Sequence, residues 1–448
     1  MRRIFASVVN EFTDIATVSL IALYIGNDSM ITYITVEFVL SMLQLVSCGI
    51  YEACYKLSNI AISSDDERRA GRIAQMSAYL SLLASAPSFI VSIFWMEDIL
   101  LYFGHGRYMR SIGASYAILS SLMSLFDAYS SMYSALVDLN DGAHFNAVFD
   151  FYDSIVGISL SFFAVALLDI SLIDLGVIWL VYHVIVTVFY FMRIQRRGFL
   201  EPYFDYDAEP FHLLRSRKAL KLASSICHAA LPLTAIGIVS DLEYRVISIM
   251  AKQIGAAEAA TWILLVHVWS FIECWFESFA SASGKEVNAL LIRSDIVAAR
   301  RTARKARAFA FFYGALIALS VFAISHPIAR LLTSDYTLQR MLAEAIEFAC
   351  ICVPFAAIGS ISEDINKEQG RYRSSMAISW GCSFLLTLPL CAFMNYGLNF
   401  GIPGIVTGVV VGSASAGMMQ TVLLVYSNFQ AASSTLRKHV SDDLTTVV

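Results

Sequence analysis

The sequence predicts an all-α integral membrane protein with twelve transmembrane helices in two six-helix lobes related by a parallel internal repeat. Three observations carry this expectation: composition, the spacing of apolar segments, and an echo between the two halves. Of 448 residues, 58 % are hydrophobic and 15 % charged, with a mean hydropathy of +0.65. Soluble domains average about 45–50 % apolar and about 25 % charged residues. A soluble core of this size cannot hide the excess, so part of the apolar surface faces lipid. A net charge of −5 offers no basic face for nucleic acid. The eight cysteines (Cys48, Cys54, Cys227, Cys274, Cys350, Cys352, Cys382 and Cys391) lie in apolar runs without metal-ligand spacing. They read as small buried hydrophobes.

A membrane helix needs about 20 mostly apolar residues. Segments of this kind centre near residues 15, 42, 86, 124, 157 and 181, and again near 236, 270, 317, 350, 384 and 414. Turn-forming or charged breaks separate them, among them Gly26-Asn27-Asp28-Ser29, Gly104-His105-Gly106, Asn140-Asp141-Gly142, Gly255 and Asn395-Tyr396-Gly397. The expected organisation is a first lobe over 1–197, a linker over 198–217, a second lobe over 218–430 and a tail over 431–448. Carboxylates sit close to the ends of the segments at 157 and 350, which makes these two the weakest of the twelve span assignments.

Lys and Arg set the orientation, because they concentrate on the cytoplasmic side. With the N-terminus cytoplasmic, all but six of the 31 basic residues fall in cytoplasmic segments. The six are Arg107, Arg110, Arg245, Lys252, Arg330 and Arg340. Both termini are therefore expected in the cytoplasm. The first segment does not read as a cleaved signal peptide, since Glu11 and Asp14 interrupt it.

The halves echo each other. Asp14 followed by Ile25-Gly26 matches Glu243 followed by Ile254-Gly255 at an offset of 229. Ile62-Ser63-Ser64-Asp65 pairs with Ile292-Arg293-Ser294-Asp295 at 230, and Arg68-Arg69-Ala70-Gly71-Arg72 with Arg300-Arg301-Thr302-Ala303-Arg304 at 232. An even number of helices per half gives both halves one orientation, an arrangement found in transporters.

An ionisable side chain at mid-bilayer costs roughly 2.5–3.5 kcal/mol on insertion scales, which makes it a functional candidate. Glu243 is the foremost. Asp241 and Arg245 stand four apart and share a helix face, while Glu243 lies about 200° round from each. It therefore points away from the only cation on its stretch of helix. Asp14 occupies the equivalent place in the first helix, with Asn10 four before and Thr17 three after, a single polar stripe. In the eighth span Glu273 and Glu277 recur with Ser270 and Ser281 at helical spacing. Two carboxylates four apart repel when both are charged, so this pair invites a proton or a cation. Glu37, Glu52, Asp127, Asp150 and Asp153 rank lower, as several lie near expected helix ends. Among the aromatics, Tyr244, Trp269, Trp275, Tyr33 and Tyr51 offer ring faces to a cation.

Leu242-Glu243-Tyr244, then Ile254-Gly255-Ala256-Ala257-Glu258-Ala259-Ala260-Thr261-Trp262, resembles the seventh helix and following turn of the multidrug and toxic-compound extrusion (MATE) family. Val18-Ser19-Leu20 with Ile25-Gly26 is similar to the first helix of its eukaryotic branch. Gly401-Ile402-Pro403-Gly404-Ile405-Val406-Thr407-Gly408 with Gly412 is similar to its last helix. Two elements depart: Val287-Asn288-Ala289-Leu290-Leu291 stands where the family has a glycine turn. Glu363-Asp364-Ile365-Asn366-Lys367-Glu368-Gln369-Gly370 replaces an Arg-Gly-x-Gly element.

The resemblance implies a secondary antiporter that exports organic cations in exchange for protons or sodium. Its partners would be the cation and the bilayer, with no nucleic acid and no second subunit. Glu243, Asp14, Glu273, Asn10, Thr17, Tyr244 and Glu277 are the expected cation- or substrate-binding set. No cofactor is expected beyond the coupling ion. There is no phosphate loop, metalloprotease helix or nucleophile elbow, so no enzyme is expected. Plasma membrane and organelle membrane both remain open. Two other transporters compete. A lipid-linked oligosaccharide flippase would want a cationic cavity, for which the seventh helix supplies only Arg245 and Lys252. A major-facilitator transporter would account for Asp66-Glu67-Arg68-Arg69-Ala70-Gly71-Arg72 but not for Leu242-Glu243-Tyr244.

Overall fold

The computed structural model describes residues 2–63, 66–168, 170–204 and 217–434. Most of the expected linker and most of the tail lie outside them. The described chain is helical almost throughout: α1 (Arg2–Leu20), α2 (Asn27–Ser63), α3 (Glu67–Phe94), α4 (Met96–Tyr102), α5 (Arg107–Val137), α6 (Ala143–Leu168), α7 (Leu172–Arg196) and α8 (Arg217–Ile254). There follow α9 (Ala256–Ile292), α10 (Ile296–Ala323), α11 (Ser325–Leu332), α12 (Tyr336–Ala349), α13 (Val353–Glu368), α14 (Tyr372–Gly381), α15 (Leu388–Ala392) and α16 (Gly401–Val425).

The twelve expected spans are all present as helices. Eight are long and apolar enough to cross a membrane by themselves: α2, α3, α6, α7, α9, α10, the α14–α15 stretch and α16. The span near 350 is not one helix. It is α12 and α13, bent by 56° at a short break, and Pro354 in the first turn of α13 suits a helix that starts afresh there. α1, α5 and α8 complete the twelve.

The repeat is register-true. The starts of α2 and α9, α3 and α10, α4 and α11, α5 and α12, α6 and α14, and α7 and α16 each lie 229 residues apart. The basic-loop matches at 230 and 232 are therefore slips out of register, and Arg72 and Arg301 are the structural equivalents. Two polar clasps repeat as well. In the first half the hydroxyl of Tyr190 donates to Asn146 at 3.0 Å. In the second, Gln420 donates to the carbonyl of Ser375, the counterpart of Asn146, at 2.8 Å.

Several expected loops are wide helical turns instead. Asn140-Asp141-Gly142 sits in a π-helical turn, Asp138–Gly142. The amide of Asn146 donates to the carbonyl of Ser134 at 3.0 Å, twelve residues back. Along a straight helix these would be about 18 Å apart, so the chain reverses within that turn. Only Gly26, at φ +116°, breaks the path between α1 and α2, because a side chain would be strained there. Among the cysteines, Cys48 and Cys227 are exposed, contrary to expectation, and the other six are buried. Their helices turn those two positions outward.

The described chain clusters into two units: Ala16–Val239, and Ser240–Val448 together with Arg3–Ile15. Within the second unit α13 and α16 cross at glycine. A Cβ on Gly417 would meet the carbonyl of Phe355, and one on Gly359 would meet Gly417 itself. Small residues of this kind let helix backbones approach closely, the main source of packing energy in lipid.

Candidate functional site in the second unit

α8 carries the site because its two faces divide as the sequence spacing requires. Arg245 is buried and grips Asp241 with two hydrogen bonds, of 2.8 and 3.0 Å. Each neutralises the other on one face. Glu243, half-buried, projects from a different face and accepts a hydrogen bond from the hydroxyl of Ser383. The hydroxyl of Thr387 stands beside it.

Ser383 and Thr387 are brought there by an irregular backbone. Cys382–Thr387 is a π-helical turn between α14 and α15, and Pro389 follows two residues on. Proline lacks an N–H and its ring crowds the carbonyl four residues back, here that of Leu385. A widened turn relieves this crowding, and π-turns recur at functional sites. Thr387 donates its hydroxyl proton to the carbonyl of Cys382, five residues back, at 3.1 Å. From the far side α16 closes in on this turn: a Cβ on Gly412 would collide with the side chain of Thr387.

Tyr244 connects Glu243 to the next helix. Its ring stacks on Trp262 of α9, with centroids 6.3 Å apart and planes at 29°. Trp262 donates to the Tyr244 carbonyl at 3.3 Å. Tyr244 also lies within electrostatic reach of both Glu243 and Glu273, and Cys352, at the α12–α13 break, is close to Glu273. Glu243, Tyr244, Glu273, Ser383 and Thr387 thus gather in one region of this unit.

Of the other expected residues, Glu277 has different partners. Glu277, one turn beyond Glu273, interacts with Lys367 and Glu363, and Lys367 bridges Glu363 at 2.9 Å and Asp364 at 3.8 Å. Asp14 is exposed on α1, and Thr17 is buried. The division between units runs between them, at Ile15 and Ala16. The side chain of Asn10 lies outside the described residues.

The first unit holds a carboxylate that the sequence reading ranked low. Glu37 is not at a helix end but ten residues into α2, where Tyr116 and Ser120 of α5 donate to it at 2.7 and 2.8 Å. The clue available in the sequence is the stripe Tyr33, Glu37 and Gln44 on one face of an otherwise apolar helix.

What this arrangement offers is a half-buried carboxylate that accepts from a neutral hydroxyl and adjoins the Tyr244–Trp262 aromatic pair. A carboxylate so placed has the chemistry to accept a proton or a monovalent cation. Among the described residues no group of three His, Cys, Asp or Glu is placed to hold a metal ion.

Comparison with known proteins agrees with this picture. The MatE family model matches residues 232–393, which include Glu243, Glu273 and Ser383. An uncharacterized transporter of Schizosaccharomyces pombe is 23 % identical over 209 residues, covering 47 % of this chain and 39 % of that protein. Protein DETOXIFICATION 38 of Arabidopsis thaliana is 23 % identical over 121 residues, 27 % of this chain and 23 % of its own length. These alignments therefore span well under half of either curated relative. The fold is similar over nearly the whole chain to two solved transporters. The eukaryotic MATE transporter AtDTX14 aligns with TM-score 0.76 and 12 % identity, covering 98 % of this chain and 97 % of that one. The Vibrio cholerae MATE transporter VcmN aligns with TM-score 0.74 and 15 % identity, covering 96 % of each. A major-facilitator architecture is thereby replaced. The chain thus matches the MatE family model over residues 232–393 and has a twelve-helix fold similar to that of solved MATE transporters.

Proposed function

We propose that this chain is a secondary active antiporter of the MATE family that exports organic cations in exchange for protons or sodium. The observation that carries the reading is Glu243, a carboxylate within a membrane helix whose hydrogen-bond donor, Ser383, is neutral. Its helix neighbour Arg245 is already committed to Asp241. Coupling ion and organic cation then compete for one negative charge, so each drives release of the other as the transporter alternates between states. Tyr244 and Trp262 supply aromatic faces suited to a delocalised cation. The distribution of Lys and Arg supports cytoplasmic termini, in a plasma or organelle membrane. The protein works as a monomer and needs no cofactor. Engagement of Arg245 by Asp241 also argues against a lipid-phosphate cargo, which would need that guanidinium available.

The test is uptake of a labelled organic cation into proteoliposomes under an imposed pH or sodium gradient, with Glu243→Gln alongside. The expected result is gradient-driven uptake that the substitution abolishes while the variant remains folded. Uptake that survives in Glu243→Gln would remove this carboxylate from the coupling step.

A further inference from the structure

The first unit contains an ionisable group that this scheme does not use. Glu37 lies on α2 within a span long and apolar enough to cross the membrane, Asn27–Ile62. Both of its hydrogen-bond donors, the Tyr116 and Ser120 hydroxyls, act on the same oxygen, Oε1. Among the described residues no charged side chain acts on it, and these two hydroxyls are the groups that do. The titratable groups around it are Tyr33 on its own helix and Tyr116 on α5, whose rings lie 5.6 Å apart. α7 adds the uncharged Trp179, whose ring centroid is 6.0 Å from that of Tyr33 and 6.3 Å from that of Tyr116. Two turns along, Gln44 of α2 donates to Ser124 of α5 at 2.8 Å. Helix pairing at this level is thus achieved with neutral side chains alone. A glutamate is not needed to tie α2 to α5.

We infer that Glu37 is a proton-exchanging site of the first unit, its Oε1 held by the hydroxyls of Tyr116 and Ser120. The chemistry balances simply. Oε2 takes a proton from a hydronium ion, forming one O–H bond and leaving a neutral carboxylic acid and a water molecule. Release is the reverse. Because both hydroxyls bind Oε1, neither hydrogen bond needs to break when Oε2 is protonated. Charge therefore changes without repacking of the aromatic cluster, and the group can cycle. Its use in transport rests on the antiporter reading; its titration does not.

The experiment is infrared difference spectroscopy on the full chain in liposomes, stepping the buffer from alkaline to acid. The expected result is a carboxylic C=O band that grows on acidification, follows a one-proton curve, and is missing in Glu37→Gln. Tyr116→Phe, which keeps the ring and removes one donor, should retain the band and move its midpoint by about one pH unit. A band identical in wild type and Glu37→Gln would overturn the proposal. So would a band that sodium removes at fixed pH, since the exchanging ion would then be sodium. The same measurement on Glu243→Gln separates the two readings: loss of transport with the Glu37 band intact leaves this site standing whatever becomes of the antiporter.

Discussion

Asp66 and Asp295 stand 229 residues apart and do the same thing: each caps the N-terminus of a long helix. Asp66 accepts from the Arg69 amide and Asp295 from the Ala298 amide, both at 3.0 Å. The repeat therefore reaches down to individual capping contacts. Because helix N-termini leave backbone donors unsatisfied, replacing such a cap by alanine costs about 1 kcal/mol. Asp66→Ala and Asp295→Ala should destabilise α3 and α10 by similar amounts. Thermal unfolding in detergent, compared for the two single variants, checks this; unequal losses would show that the equivalence is only geometric.

Ser383 is expected to govern cation affinity rather than folding. A hydrogen bond to a charged group contributes about 1.5–3 kcal/mol. Ser383→Ala should therefore raise the half-saturating concentration of the transported cation by about tenfold or more. Maximal rate and thermal stability should change little. Proteoliposome uptake across a concentration series measures both quantities.

Gly412 reaches the same site by a different route. It contacts no charge, yet its Cα lies so close to Thr387 that an added methyl group has nowhere to go. Gly412→Ala should displace the π-turn and reproduce the affinity loss of Ser383→Ala. Its equivalent control is Gly381, where a Cβ would meet nothing within 4 Å. Gly381→Ala should leave uptake at wild-type level.

Gly417 tests packing alone. A Cβ there would press on the Phe355 carbonyl, and backbone cannot swing aside as a side chain can. Overpacking of this kind costs about 1–3 kcal/mol. Gly417→Val should lower the unfolding temperature, while any protein that remains folded keeps wild-type cation affinity.

Breaking the Asp241–Arg245 pair should be worse from one side than from both. Asp241→Asn takes a counter-charge from a buried guanidinium, at a cost of up to about 3–5 kcal/mol for a buried pair. The Asp241→Asn, Arg245→Leu double variant should recover much of this. A double-mutant cycle on thermal stability measures the recovery.

Much of this protein was legible in its sequence because the relevant signals are local or periodic. Apolar runs of about twenty residues marked the spans, and the Asp14–Glu243 offset of 229 already held the true register of the repeat. The Asp241–Arg245 pair followed from a spacing of four on one helix. The loops were read less well. Asn140-Asp141-Gly142 has the composition of a break, but a π-turn absorbs the same residues without leaving helical geometry.

The sequence by itself determined membrane residence, the twelve helices, the duplicated order and which carboxylates lie within apolar spans. It did so because insertion into lipid depends on composition summed along one segment. Only the tertiary structure decided what those carboxylates touch. The donor to Glu243 is 140 residues away, and those to Glu37 are 79 and 83 residues away. No periodicity within one helix encodes such pairs. They arise from which faces pack together, and that is how Glu277 came to lie with Lys367 while Glu273 stayed beside Tyr244.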